Sequence, residues 1–414
     1  MNKQFIISLG ANVSRVALGF IFFWQVSQAL GLKTLGEYLY ITAALGYFGA
    51  FIDFGFNLFV INTASRSATE ARPLFLRVVL SKVLLTIFSA SLLLALYGVA
   101  FADQGVIVTI LFFIVLVLQS FSGLFIHFYK ALGRFDHEFA STVIGSALPV
   151  LMLLAVGRDL ALFELALMVL FVRVLVILLQ LALFQRVTAG QRWLSNQRPV
   201  DFLPDAVSDI WHNAKYGVFS VLGTIFVSID LVVMRFVLGP EEVSLYGTAM
   251  KIILASILFF EVLQGTFIPR LARSHETDDR SEFWKRVRRF SLIMFICAAG
   301  FSLGMAALGP MAVNWAFGEG FAISGEIVRV LAVVFIFRIM EMITGPILTV
   351  YGLQNFRARA MVVMLPFHIG GNLLLQTYFG VWGAAYALGL SFFMLFILNF
   401  LYLSSAIKSG WSAA

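Results

Sequence analysis

Read for apolar runs against charged, glycine or proline punctuation, the chain divides into twelve segments. Each is near the ~20 residues that a helix needs to cross the hydrocarbon core of a bilayer. They fall near residues 5–30, 38–61, 78–101, 106–129, 139–156, 160–185, 214–238, 244–267, 290–316, 327–350, 360–377 and 384–407. Two stretches between them are patterned differently. Asp201, Asp205 and Asp209 recur every four residues, with Phe202, Leu203, Val207, Ile210 and Trp211 mostly on other faces. That periodicity predicts a short amphipathic helix lying on the inner membrane surface and linking two halves of the chain. The run Phe283-Trp284-Lys285-Arg286-Val287-Arg288-Arg289-Phe290 interleaves cations with aromatics. It has the pattern of a helix entering the membrane from an anionic leaflet, either to anchor the topology or to recruit lipid phosphate. Proline falls inside the spans at Pro149, Pro310, Pro346 and Pro366, where kinks are expected.

Composition agrees with the pattern. Of 414 residues 61% are apolar and 12% charged, and the mean hydropathy is +0.95, whereas a soluble domain carries about 45–50% apolar and roughly 25% charged residues. So little charge excludes a water-soluble protein and a disordered one, and the single cysteine, Cys297, excludes a disulfide scaffold. The predicted class is an all-α polytopic membrane protein of about 12 transmembrane helices. The net charge of +7 and pI near 9.6 do not point to nucleic acid, because the basic residues have another distribution. With the N-terminus and alternate loops assigned to the cytoplasm, twenty of the 29 Lys and Arg fall on that side, two (Lys33 and Arg158) on the other, and seven within spans. The positive-inside rule then puts both termini in the cytoplasm. The opening Met1-Asn2-Lys3-Gln4 leads into an apolar run too long for a cleavable signal peptide. The outer loops are short, the longest running from about Phe317 to Glu326, which leaves no room for the external domain of a glycan-building enzyme.

The halves repeat. Leu30-Gly31 corresponds to Leu238-Gly239, Tyr38 to Tyr246, and Asp53 to Glu261, all in one register, with an acid expected at the inner end of each helix. Six spans per half return the chain to its starting side. This predicts parallel repeats about an axis along the membrane normal, an arrangement that holds substrate between the halves in secondary transporters. The expected organisation is residues 1–200 as an N-terminal and 201–414 as a C-terminal six-helix bundle.

These segments also carry a family resemblance. Ala29-Leu30-Gly31-Leu32-Lys33-Thr34-Leu35-Gly36-Glu37-Tyr38, with Asp53-Phe54-Gly55 closing the next helix, resembles the start of the polysaccharide-biosynthesis and O-antigen flippases. These belong to the multidrug/oligosaccharidyl-lipid/polysaccharide exporter superfamily. Leu238-Gly239-Pro240-Glu241-Glu242-Val243-Ser244-Leu245-Tyr246-Gly247, followed by Pro269-Arg270, resembles the matching second-half signature. The resemblance implies two six-helix bundles forming a V around a central cavity of alternating access, and a substrate of the undecaprenyl-diphosphate-linked oligosaccharide type. It also implies the bacterial cytoplasmic (inner) membrane as location, with membrane lipids, a polysaccharide polymerase and a chain-length regulator as partners.

Seven cations lie within spans: Arg15, Lys82, Arg173, Arg235, Lys251, Arg329 and Arg338. Lys82, Arg235 and Arg329 are near span ends and are expected to snorkel. Arg15, Arg173, Lys251 and Arg338 lie deeper, where each would cost roughly 2.5–3.5 kcal/mol facing lipid, so they are expected to face partners or a watery cavity. The functional expectation is that Arg15, Lys251 and Arg338, with Arg173 as the fourth deep cation, bind a diphosphate in a cavity between the halves through charge-assisted hydrogen bonds. Trp24, Tyr47, Tyr216 and Tyr246 either stack on sugars or simply pack.

Among the acids, Glu341 can pair with Arg338 three residues earlier. Asp230, mid-span, is either a proton or sodium site or the partner of Arg15 or Lys251. Asp53 and Glu261 either form capping or gating salt bridges with loop arginines or couple an ion. No GxxxxGK[ST] loop, GxSxG elbow or metal-ligand spacing occurs, so no cofactor, metal or enzymatic reaction is expected. The alternative reading is a cation-coupled multidrug exporter of the same superfamily. Such exporters typically carry a carboxylate in the first helix, where this chain has Arg15 as its only charge within the membrane. A membrane enzyme of glycan assembly is disfavoured by the short outer loops.

Overall fold

The structure, a computed structural model, describes residues 3–65, 71–157, 159–187, 199–276, 280–351 and 353–408. Among them there is no strand. The helices are α1 (Lys3–Ala29), α2 (Leu32–Asp53), α3 (Phe56–Ala64), α4 (Ala71–Ala100), α5 (Val106–Ala131), α6 (Phe135–Val156) and α7 (Leu162–Val187). They continue as α8 (Leu203–Val237), α9 (Pro240–Glu276), α10 (Arg280–Phe317), α11 (Ala322–Val350), α12 (Gln354–Phe379) and α13 (Val381–Lys408). Twelve of the thirteen are long, and eleven are long and apolar enough to cross a membrane. The other long helix, α11, has most of its residues buried and packs on α9, α10 and α13. The protein is thus an all-α polytopic membrane protein.

Ten of the twelve predicted spans begin earlier than hydropathy predicts, because a polar first turn costs nothing outside the hydrocarbon while the backbone hydrogen bonds of the helix continue. The clearest correction concerns Asp201 to Trp211. Instead of a separate surface helix, Leu203 onward forms the first three turns of the 35-residue α8. Its acidic face is not wholly solvated either. Asp209 is buried and accepts two hydrogen bonds from Arg77 of α4, from Nε at 3.0 Å and Nη2 at 2.5 Å, while Ser81 Oγ donates to the Ala206 carbonyl at 3.0 Å. The basic–aromatic run 283–290 lies likewise inside a helix, α10, with Lys285, Arg286, Arg288 and Arg289 exposed and Phe283 and Phe290 buried.

The predicted second span, 38–61, is broken. Phe54 adopts the left-handed conformation (φ 37°) and Gly55 follows at φ 74°, so α2 stops and α3 leaves in a new direction. Left-handed backbone costs an L-residue about 1–2 kcal/mol, and the surroundings hold it there. The Phe54 carbonyl accepts from Asn213 Nδ2 of α8 at 2.5 Å, and the Phe54 ring lies against Gly217, where no Cβ would fit. Below the break, Phe56 and Val60 of α3 join Phe75, Leu124, Phe128 and Phe184 in an apolar cluster, with the Phe75 and Phe184 rings stacked at 4.7 Å.

The chain forms two compact units, Met1–Ser228 and Ile229–Ala414, with the division inside α8. In the first, α1 packs on α6, and α5 on α2, α3 and α7. In the second, α11 is the central element and α13 also packs on α12. The register that pairs Leu30-Gly31 with Leu238-Gly239 also pairs the first residue of α2, Leu32, with the first of α9, Pro240. It does not carry to the helix ends. Asp53 is the last residue of α2, but Glu261 is interior to α9, which continues to Glu276.

Candidate functional site: a cationic cavity in the N-terminal unit

A cavity of about 580 Å³ lies within the first unit, walled by α1, α2, α3, α5, α6, α7 and α8. Four features give it chemistry. Arg15 enters from α1 and Arg173 from α7; Asp53 comes from the end of α2; and α5 contributes a polar strip of Gln119, Ser120 and His127. Ser141, Thr142 and Ser146 of α6 add hydroxyls.

The charges on this wall are not equivalent. Asp53 is already neutralised. Its Oδ1 accepts from Lys82 Nζ at 2.6 Å and from Ser120 Oγ at 2.7 Å. Lys82 is the clearest failure of the sequence reading, which put it near a span end and let it snorkel. Because α4 starts at Ala71, Lys82 lies eleven residues into the helix and is fully buried. Its ammonium also donates to the Ser120 carbonyl at 3.1 Å and stands 5.9 Å from the Phe121 ring centroid. A buried ammonium needs such partners, since an unpaired one would be expelled.

Arg173 donates through Nη2 to Gln119 Oε1 at 3.2 Å, while its buried Nε has no hydrogen-bond partner. Neither Arg173 nor Arg15 has a carboxylate partner among the described residues. With Lys82 and Asp53 cancelling, these two guanidinium groups leave the cavity formally cationic. His127 Nδ1 stands 2.6 Å from the Gly123 carbonyl. Nδ1 therefore carries the proton in that bond, leaving Nε2 as the other polar atom of the ring.

The remaining predicted site residues belong to the second unit and are not drawn into one cluster. Arg338 donates through Nη1 to Glu341 Oε2 at 2.5 Å and stacks over the Phe392 ring at 5.0 Å, so the local pairing read from their spacing is present. Arg357, counted from sequence as a loop cation, reaches the other oxygen of Glu341 at 3.4 Å. Lys251 and Glu261 are exposed on α9. Asp230 is buried; where the sequence offered an ion site or a pair with Arg15 or Lys251, the structure supplies a phenol, Tyr246 Oη donating at 2.6 Å, and the Leu231 N–H at 2.9 Å. A polar ladder on α12 continues from there. Gln376 Nε2 donates to the Asp230 carbonyl at 3.2 Å and to Asn372 Oδ1 at 2.8 Å, and His368 Nδ1 meets Ser391 Oγ at 2.8 Å.

Sequence reasoning missed Lys82, Gln119, Ser120 and His127. A signal was present, since Gln119-Ser120-Phe121-Ser122-Gly123 interrupts an otherwise apolar span. Polar residues at membrane depth face a cavity or each other.

No protein-family model matches the chain. Over 200 residues it is 24% identical to a probable low-salt glycan biosynthesis flippase, Agl15, of Haloferax volcanii. The match takes in 48% of this chain and 42% of that protein, so the chain spans less than half the length of this curated relative. Among solved structures, an inward-facing multidrug resistance MATE family transporter of the MOP superfamily superposes with a TM-score of 0.74 at 15% identity, covering 99% of this chain and 96% of the other. A MOP superfamily transporter from Pyrococcus furiosus, described as having a binding pocket of reversed polarity, gives 0.66 at 14% identity over 99% and 97% of the two chains. The chain therefore has the fold of the MATE transporters of the MOP superfamily.

Proposed function

We propose that this protein is a flippase that carries a lipid-linked oligosaccharide across the membrane by alternating access. The substrate is of the undecaprenyl-diphosphate type, moved from the inner to the outer leaflet for surface polysaccharide assembly. The observation that carries this reading is the presence of Arg15 and Arg173, without carboxylate partners among the described residues, on one cavity of the N-terminal unit. Two guanidinium groups in a low-dielectric wall suit phosphate oxygens, which they bind by short charge-assisted hydrogen bonds. Hydroxyls of Ser141, Thr142 and Ser146 on the same wall suit sugar hydroxyls. The hydrocarbon tail stays in the bilayer while the head group passes. The distant likeness to a glycan flippase supports the same reading. On this reading the chain works in a bacterial cytoplasmic membrane with both termini inside, beside a polymerase and chain-length regulator. Lys251 and Arg338 serve as further substrate cations. Asp230 and Glu341, with Asp53 and Glu261, serve ion coupling or gating.

The test is reconstitution in proteoliposomes containing a polyprenyl-diphosphate-linked disaccharide, with a membrane-impermeant lectin reading the exposed sugar. Wild type raises the lectin-reactive fraction, and Arg15→Gln and Arg173→Gln each abolish most of that rise while inserting normally. Equal rates in all three overturn the assignment.

A second reading has specific support of its own. The cavity holds a carboxylate, Asp53, and the fold is that of multidrug transporters. A cation-coupled exporter would drive a lipophilic cationic dye outward with sodium or protons flowing inward down their gradient, and would lose that activity in Asp53→Asn while tolerating Arg15→Gln.

A further inference from the structure

A second concavity, about 570 Å³, runs along the C-terminal unit between α11 and α13, and its chemistry is unlike that of the first. Apart from Arg329, every residue lining it is apolar or aromatic. Gly389 brings α13 against Val334 of α11 and forms the floor, since a Cβ there would come within 2.9 Å of Val334. Val333 and Tyr386 stand as half-exposed walls. Phe337 and Phe393, edge to face at 5.2 Å, close one end. From Arg329 to Phe337 the helix advances about 12 Å at 1.5 Å per residue, close to one leaflet of a hydrocarbon core about 30 Å thick.

The open end carries both signs of charge. Arg329 Nη1 donates to both oxygens of Glu326, at 2.9 and 2.7 Å, and its Nε donates to the Ala306 carbonyl at 3.2 Å, so the guanidinium is held in place. Both side chains remain about half exposed, 50% and 48%. Such a pair contributes little to stability by itself, and its exposed edges stay available as a fixed cation beside a fixed anion.

We propose that this groove seats one acyl chain of a phospholipid whose phosphoethanolamine headgroup bridges Arg329 and Glu326. The phosphate accepts from the Arg329 guanidinium and the ammonium donates to the Glu326 carboxylate. A chain of one leaflet's length fills the groove to the Phe337–Phe393 pair. An anionic lipid satisfies only Arg329 and sets its own charge against Glu326, so the groove discriminates by headgroup. The site is separate from the Arg15–Arg173 cavity and does not depend on what that cavity transports.

The experiment is native mass spectrometry of the purified full chain from detergent, after incubation with phosphatidylethanolamine, phosphatidylglycerol or a polyprenyl monophosphate. Wild type should retain one phosphatidylethanolamine at least fivefold better than either competitor. Glu326→Gln should reduce that preference to parity, and Arg329→Gln should lower retention of both phospholipids. Val333→Trp fills the groove and should abolish the adduct. Leu390→Trp, on the opposite wall, fills it from α13 should the first variant fold poorly, and each is checked by its melting temperature. Retention unchanged in both folded tryptophan variants, equal retention of the two phospholipids by wild type, or a stronger adduct with polyprenyl phosphate overturns the proposal. Arg15→Gln with Arg173→Gln should leave the adduct intact, which separates failure here from failure of the flippase reading.

Discussion

Lys82 Nζ stands 2.6 Å from Asp53 Oδ1, and the two members of this pair have opposite access to solvent: the lysine side chain is 0% exposed and the aspartate 32%. The cavity therefore meets the aspartate, while its counter-charge is sealed behind it. Removing one partner of a buried ion pair costs about 3–5 kcal/mol, because the other is left uncompensated. Here the cost is asymmetric. Asp53→Asn strands an inaccessible ammonium and should lower the melting temperature in detergent strongly. Lys82→Met leaves a carboxylate that the cavity can hydrate and should lower it less. The double variant should recover most of the loss, and a double variant worse than Asp53→Asn alone would refute the asymmetry.

The break after α2 is held by contact between Phe54 and Gly217, where a methyl group would overlap the ring at 2.4 Å. Gly217→Ala should destabilise by about 1–3 kcal/mol, the usual range for overpacking. Phe54→Leu in the same chain should restore part of it. Thermal melts of the two single variants and the double read this out directly, and additive losses would show that the two side chains do not meet.

At the start of α8, the two hydrogen bonds between Arg77 and the buried Asp209 fix a segment that the sequence placed on the membrane surface. Asp209→Ala should leave the membrane-spanning part of α8 folded and free its first three turns. Hydrogen exchange should then accelerate at residues 203–213 and remain slow near Asp230. Protection unchanged at 203–213 would mean that packing alone holds the segment.

Tyr246 donates to the buried Asp230 carboxylate at 2.6 Å. A hydrogen bond to a charged group is worth about 1.5–3 kcal/mol, so Tyr246→Phe should lower stability by that order, and Asp230→Asn combined with it should lower it no further. If Asp230 also couples an ion, sodium or proton concentration should shift the melting temperature of wild type but not of Asp230→Asn.

Each cavity arginine should tolerate lysine better than glutamine. Charge survives in Arg173→Lys while the planar pair of donors is lost, so transport in proteoliposomes should fall by roughly tenfold or less, against a larger loss in Arg173→Gln. Equal loss in both would assign Arg173 to packing against Gln119 instead of to an anion.

Hydropathy was sufficient for the number and order of the long helices, because in hydrocarbon every backbone polar group must be satisfied within its own segment and a helix achieves this locally. It also marked Arg15, Arg173, Lys251 and Arg338 as deep cations, of which the structure brings Arg15 and Arg173 to one cavity. It misplaced Lys82, because the depth of a residue depends on where its helix begins, and a polar helix start leaves no apolar signal. It could not foresee that Asp209 is buried against Arg77, since the partners lie 132 positions apart and periodicity speaks only within one helix.

The sequence by itself determined the membrane class, the all-helical architecture and the short list of charges that need an explanation. Tertiary structure decided which of those charges have a partner within the protein. Lys82 cancels Asp53, Arg338 and Arg357 share Glu341, and Tyr246 holds Asp230. What is left on the N-terminal cavity is Arg15 and Arg173. The reason is physical: a charge in hydrocarbon must find a partner, and that partner is fixed by packing between helices distant in sequence, which no local pattern encodes.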